Sequence, residues 1–185
     1  MSEHSRHDTR LDRFVDSYSQ RTNGMRVSAV RALFAVANRP EIVSLAGGMP
    51  NIKDLPLADI AASMAHMIST NGTQVMQYGS GQGEPVLREQ ILDVMALEGI
   101  TAHADDVVIT AGSQQGLDLV TRIFCDPGDV VLAESPSYVG ALGTFLSYQT
   151  EVVHVSSDDD GLDPAALRET AARLKKAGKR IKFLY

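Results

Sequence analysis

The chain has 185 residues, with 17 lysines and arginines against 23 aspartates and glutamates, for a formal net charge of -6. Its 44% hydrophobic and 22% charged residues match an ordinary globular protein with room for one sizeable core. The acidic balance argues against a nucleic-acid partner, no run of roughly 18 apolar residues offers a membrane span, and Met1 to Arg10 lack the apolar stretch of a secretory signal. A single cysteine, Cys125, excludes an internal disulfide and fits a reducing, cytoplasmic setting.

In chain order, Leu11, Phe14, Val15 and Tyr18 fall at helical spacing and predict a short amphipathic helix broken by Asn23-Gly24. Val27, Val30, Arg31 and Phe34 predict a second helix that ends before Arg39-Pro40. Ile42 to Leu45 read as a short strand entering the irregular segment Ala46-Gly47-Gly48-Met49-Pro50. Ile60, Met64, Met67 and Ile68 form the apolar stripe of a helix closed by Asn71-Gly72. Tyr78-Gly79-Ser80-Gly81-Gln82-Gly83 is a glycine-spaced loop. The next helix opens with Pro85, is expected to bury Leu87, Ile91, Val94 and Met95, and ends at Gly99.

Beyond it, short strands at Val107 to Ile109, Val130 to Leu132, Val152 to Val155 and Ile181 to Tyr185 alternate with helices at about 114–124, 138–147 and 164–177. The first two strands are apolar without alternation, as expected of strands covered on both faces. Asp126-Pro127-Gly128-Asp129 predicts a tight turn, and Asp163-Pro164 a capped helix start. This order implies an α/β fold with right-handed crossovers and a mainly parallel sheet. The last strand pattern stops at the chain end without a closing turn, which suggests the front part of a longer protein.

Thr110-Ala111-Gly112-Ser113-Gln114-Gln115-Gly116 lies between a strand pattern and an amphipathic helix, where amide groups and the helix dipole bind anions. It carries neither the lysine of a P-loop nor the spacing of a dinucleotide fingerprint. Phosphate binding and an ordinary strand-to-helix turn both fit it. Ser135-Pro136-Ser137-Tyr138 opens the next helix at the same edge of a parallel sheet, where ligands bind. Tyr138 can therefore lie over a flat ligand or pack on its own loop.

These two motifs and Asp126-Pro127-Gly128-Asp129 stand in the order and spacing of class I/II aminotransferases, pyridoxal-phosphate enzymes of fold type I. Upstream, Leu45-Ala46-Gly47-Gly48-Met49-Pro50-Asn51 and Gln77-Tyr78-Gly79 with Gly83 match as well. The chain resembles most the subgroup of 2-aminoadipate and kynurenine aminotransferases, from about Met25 to Tyr185, and covers about the first half of a family member. The resemblance implies a three-layer α/β/α large domain with an N-terminal helical arm. Residues 1–50 would form that arm and part of the small domain, and 51–185 the first part of the cofactor-binding large domain.

It further implies that the backbone of Ser113 and Gln114 and the Ser113 hydroxyl hold the phosphate of pyridoxal phosphate, and that Tyr138 stacks on its ring. Tyr78 would reach the phosphate of the neighbouring subunit in a homodimer. Gly47 and Gly48 would line the substrate carboxylate pocket, and Ser28 and Arg31 would contact the substrate side chain. A guanidinium at Arg31 could pair with a distal carboxylate, although a solvated helix charge is the commoner reading of such a residue.

The chain departs from the family pattern in its lysines. Lys53, Lys175, Lys176, Lys179 and Lys182 all lie outside the context of the Schiff-base lysine, which belongs downstream of Tyr185. No catalytic residue is assigned, and the chain is expected to be inactive alone. His103, Asp105 and Asp106 read as a solvated loop and Asp158-Asp159-Asp160 as a charged turn, while His4, His7, His66 and His154 lack partners at ligand spacing. No metal is assigned. The expected reaction is ping-pong transfer of an amino group from an amino acid to a 2-oxo acid. The same fold also serves β-lyases and decarboxylases. It occurs too as a regulatory module in GntR-type transcription regulators, where a winged helix precedes it; here only about two dozen residues precede the matching region.

Overall fold

A computed structural model describes residues 14–25, 41–43 and 50–185. The expected positions Ser28, Arg31, Gly47 and Gly48, the helix through Val27 to Phe34 and the second half of the strand at Ile42 to Leu45 lie outside them. The described residues fall into two compact units, one of residues 114–185 with 14–25, the other within 41–113.

In the second unit, helix α1 (Leu57–Val75) and helix α2 (Pro85–Leu97) are joined by the loop carrying Tyr78. α1 does not stop at Asn71-Gly72. It bends at Asn71 (φ -132°, ψ 29°) and runs on to Val75, because a glycine costs a helix only about 1 kcal/mol and does not forbid it. Its stripe of Ile60, Met64, Met67 and Ile68 is exposed. In α2 the expected burial is partly wrong: Leu87 and Val94 are exposed, and the buried residue is Arg88. The guanidinium is taken inward because its Nη1 donates to the Ala104 carbonyl at 2.8 Å.

Val107 to Ile109 do not form a strand in the sheet. A strand exists through its ladder, and here the Val107 and Ile109 amides donate instead to the carbonyls of Ala104 and Gln82. The N-terminal helix is also corrected over its described part, where 3₁₀ turns at Val15–Ser17 and Gln20–Gly24 replace it.

The other unit holds helix α3 (Ser113–Phe124, whose first residue closes the preceding unit), strand β1 (Val130–Ser135), helix α4 (Val139–Ser147), strands β2 (Glu151–Asp158) and β3 (Gly161–Leu162), helix α5 (Pro164–Lys176) and strand β4 (Ile181–Leu184). The sheet order is β3-β2-β1-β4, with β1 parallel to both neighbours and the two-residue β3 antiparallel to β2. β2 runs past its expected end because Ser156 pairs with β1 and Ser157 and Asp158 pair with β3.

β1 is buried from Val130 to Ala133, as its unbroken apolar run predicts. Val130 and Leu132 pack with Val155, Leu167 and Leu174, the last two from α5. Val131 faces the opposite way, onto Ala141 and Phe145 of α4 and Leu117 of α3. Helices therefore cover both faces in a three-layer α/β/α arrangement. Phe145 sits edge-on to Phe183 and Tyr185, with ring centroids 5.6 and 5.4 Å apart.

The amino end of the sheet is fixed by charge. Asp129 ends the turn that Asp126 begins, accepting the Asp126 amide at 2.8 Å on Oδ2. Lys182 Nζ stands 3.2 Å from the same oxygen, and Arg180 Nε meets Oδ1 at 2.7 Å as a charge contact rather than an aligned hydrogen bond. The Asp126 amide first, then the ammonium of Lys182 and the guanidinium of Arg180, hold this carboxyl below its usual range against the opposing effect of burial.

Two outcomes follow from this packing. Phe145→Ala, which empties the centre of one face, should cost about 3–5 kcal/mol and lower the urea midpoint followed by circular dichroism. For Asp129 the folded-state pKa is the lower one, so its contribution is present above the unfolded value near about 3.9 and fades as pH falls through the folded value. Asp129→Asn should lower the urea midpoint at pH 7 and flatten the acid loss of stability below about pH 5, checked by denaturation across pH.

Candidate cofactor site

α3 begins immediately after Gly112, whose φ of 78° turns the chain. Thr110 Oγ1 donates to the Gly112 carbonyl at 3.0 Å and the Gly112 amide to the Thr110 carbonyl at 2.8 Å. Ser113 is thus the first residue of a 12-residue helix, where the first-turn amides lack intrahelical acceptors and the dipole favours an anion. Gln114 contributes its backbone to that turn. Its side chain is spent elsewhere: Nε2 reaches Thr144 Oγ1 and, at 3.5 Å, the Gly140 carbonyl, tying the start of α3 to the start of α4. Thr144 Oγ1 itself donates to the Gly140 carbonyl at 3.0 Å.

Tyr138 caps α4 after the loop leaving β1. That loop is closed by Ser137 Oγ donating to the Glu134 carbonyl and Ser157 Oγ to that of Ser135. The phenol ring lies against Gly140, where an added Cβ would fall 2.5 Å from Tyr138 Cζ. Tyr138 remains 57% exposed, so its ring is both packed on its own helix and open to a ligand. Gly140 and Thr144 were not among the expected site residues. The small-residue run Gly140-Ala141 beside an aromatic was the available signal.

Tyr78, in the other unit, is 99% exposed, with its amide held by Gln77 Oε1 at 2.9 Å. The described lysines of the sheet unit stand away from Tyr138. Lys175 and Lys176 lie in the last turn of α5, Lys179 pairs with Glu151 at 2.6 Å, and Lys182 pairs with Asp129. The last two mark the amino end of the sheet, opposite the Tyr138 edge. Burial pushes the Cys125 thiol up, so it is no ready nucleophile. Among the described residues no cluster of metal-ligating side chains occurs, and no helix is long and apolar enough to cross a membrane.

The family model described as aminotransferase class I and II matches residues 41–185. The aromatic-amino-acid aminotransferase 1 of Thermococcus litoralis is 34% identical over 169 residues, which are 91% of this chain and 40% of that protein. The structure of Pyrococcus horikoshii kynurenine aminotransferase, in complex with PMP, aligns with a TM-score of 0.81 at 36% identity, over 91% of this chain and 42% of its own. The α-aminoadipate aminotransferase of Thermus thermophilus, complexed with N-(5'-phosphopyridoxyl)-L-leucine, aligns with a TM-score of 0.78 at 30% identity, over 92% and 40%. The chain thus spans well under half the length of these relatives. It belongs to the class I and II aminotransferases, a fold type I family whose cofactor is pyridoxal phosphate.

Proposed function

We propose that the full-length protein is a cytoplasmic, homodimeric aminotransferase that moves an amino group from an amino acid to a 2-oxo acid by a ping-pong route. Residues 51–185 supply the first part of its cofactor-binding large domain, and residues 1–50 the arm and part of the small domain. The observation that carries this reading is the start of α3, a helix N-terminus bearing the Ser113 hydroxyl and locked by Gln114 to the helix that Tyr138 caps. The donor set fits the group. Amides, a hydroxyl and a helix dipole suit a phosphate dianion, and an aromatic face open to solvent suits a pyridine ring.

In this reading Ser113 and the Gln114 backbone bind the phosphate, and Tyr138 orients the ring. Tyr78, fully extended into solvent, reaches the phosphate bound by the second protomer. Gly47 and Gly48 line the α-carboxylate pocket, with Ser28 and Arg31 toward the substrate side chain. When bound, pyridoxal phosphate supplies an electron sink for negative charge developing at the substrate α-carbon. The lysine that carries it, and the group that moves the α-proton, lie outside these 185 residues.

Mixing the full-length protein with pyridoxal phosphate and a panel of amino acids should give keto acid and pyridoxamine phosphate. Released thiol or carbon dioxide instead would make it a lyase or decarboxylase, and no half-reaction with any amino acid would sink the transferase reading. Residues 1–185 alone should show neither a half-reaction nor a single pyridoxyl adduct by mass after borohydride reduction.

The side-chain roles have their own signatures. Ser113→Ala should weaken pyridoxal-phosphate binding about tenfold or more, for loss of a charge-assisted hydrogen bond. Tyr138→Ala should weaken it severalfold through the lost ring contact. Tyr78→Phe should do so only where the protein is dimeric, read by titrating cofactor above and below the dimer dissociation constant.

A further inference from the structure

No strand ladder among the described residues holds the segment that delivers Ser113. Residues 107–110 pair with no strand among the described residues, yet they lead directly into the Gly112 turn. What fixes them is a clasp from the loop and helix just upstream. The Ile109 amide donates to the Gln82 carbonyl at 2.8 Å, and Gln82 Nε2 donates to the Asp105 carbonyl at 3.2 Å. Arg88 Nη1 donates to the Ala104 carbonyl at 2.8 Å and faces the Asp105 carboxylate at 3.6 Å. Arg88 is only 8% exposed, in a helix whose neighbouring apolar residues Leu87 and Val94 are exposed.

Gly83 completes the clasp. Its φ is 103°, and a Cβ there would stand 2.3 Å from Ile109 Cγ1 and 2.6 Å from Ile109 Cβ. The backbone at 83 therefore lies flush against Ile109, in a conformation and at a distance that only glycine meets without displacement. The 3.6 Å approach of Arg88 to the solvent-exposed Asp105 carboxylate contributes little by itself. A buried guanidinium held to a carbonyl differs, since removing it strands that acceptor.

We infer that Arg88 and Gly83 are positioning residues for the phosphate cradle: they touch no ligand, and they set where the 104–113 segment presents Ser113. This rests on the reading of Ser113 as a phosphate ligand. The clasp also belongs to the loop that carries Tyr78, because the Gly83 amide donates to the Ser80 carbonyl at 3.0 Å. One loop thus fixes both the approach to a protomer's own phosphate and the tyrosine offered to its neighbour's.

The test compares dissociation constants of pyridoxal phosphate and of pyridoxal, which lacks the phosphate, for full-length Arg88→Met, Arg88→Lys, Gly83→Ala and Ser113→Ala, with the melting temperature of each apoprotein. A positioning role predicts that Arg88→Met and Gly83→Ala weaken pyridoxal phosphate about tenfold while pyridoxal binding holds, and that Arg88→Lys recovers part of the loss. Equal weakening of both ligands, or no weakening, overturns the inference; if Gly83→Ala does not fold, the two Arg88 variants decide alone. Selective loss in Ser113→Ala without loss in the Arg88 variants overturns the clasp and leaves the cradle standing. No selective loss in Ser113→Ala overturns the cradle, and the clasp with it.

Discussion

The burial of β1 on both faces is the constraint on which the sheet unit depends. Val130 and Leu132 look to α5, Val131 to α4, and the strand pairs in parallel on each side. A strand so enclosed has one register and one direction, because a slip of one residue would exchange its two buried faces. Its carboxyl end must then deliver Glu134 to Tyr138 to one fixed edge. The start of α3 is brought to the same edge by Gln114, whose side chain bonds to Gly140 and Thr144 of α4. The candidate cofactor residues of this unit are thus positioned by backbone and packing, while the Asp129, Arg180 and Lys182 cluster lies at the other end.

That polarity divides structure from chemistry. Asp129, Arg180 and Lys182 gather at the amino end, where a buried carboxylate with two cations and a turn amide holds β1 to β4. Removing one member would leave buried charge without compensation, which is why such a cluster is sensitive to substitution. The carboxyl end carries hydroxyls, amides, an aromatic ring and the acidic Glu134 and Asp158, with no described lysine beside Tyr138. A phosphate dianion bound there meets oriented dipoles instead of the cations of the far end. Lys182, 3.2 Å from Asp129, is already committed to its structural partner.

The sheet unit was legible because its signals are local and mutually consistent. The unbroken run Val130-Val131-Leu132 marked a doubly covered strand, and Asp163-Pro164 marked the start of α5, with the Asp163 carboxylate accepting the Ala165 amide at 2.7 Å. The other unit was less legible for a physical reason. Val107 to Ile109 have the composition of a buried strand, but composition does not provide a neighbour, and their amides bond to the turn at Ala104 and to the loop carbonyl of Gln82. The apolar spacing of α2 marked Leu87 and Val94 for burial, whereas a carbonyl at Ala104 draws Arg88 inside instead. Periodicity reports which face is greasy; it cannot report a single distant acceptor that reverses the preference.

The candidate site was legible in its motifs and not in its supports. Ser113, Gln114 and Tyr138 were marked as candidates by the order and spacing of their motifs, since the turn before α3 by itself fits phosphate binding and an ordinary helix start alike. Gly140 and Gly83 carried no such mark. Their importance is steric, a matter of what a Cβ would meet: the Tyr138 ring in one case and Ile109 in the other. Glycines that make room are indistinguishable in sequence from glycines that merely turn the chain. At Gly83 the two demands coincide, since φ is positive and the neighbour is in contact, so the residue is required twice over. A loop held beside Tyr78 and against Ile109, four residues before Ser113, supports the segment that leads into the Gly112 turn, and firm support is what a cradle of weak dipolar contacts needs to select a phosphate.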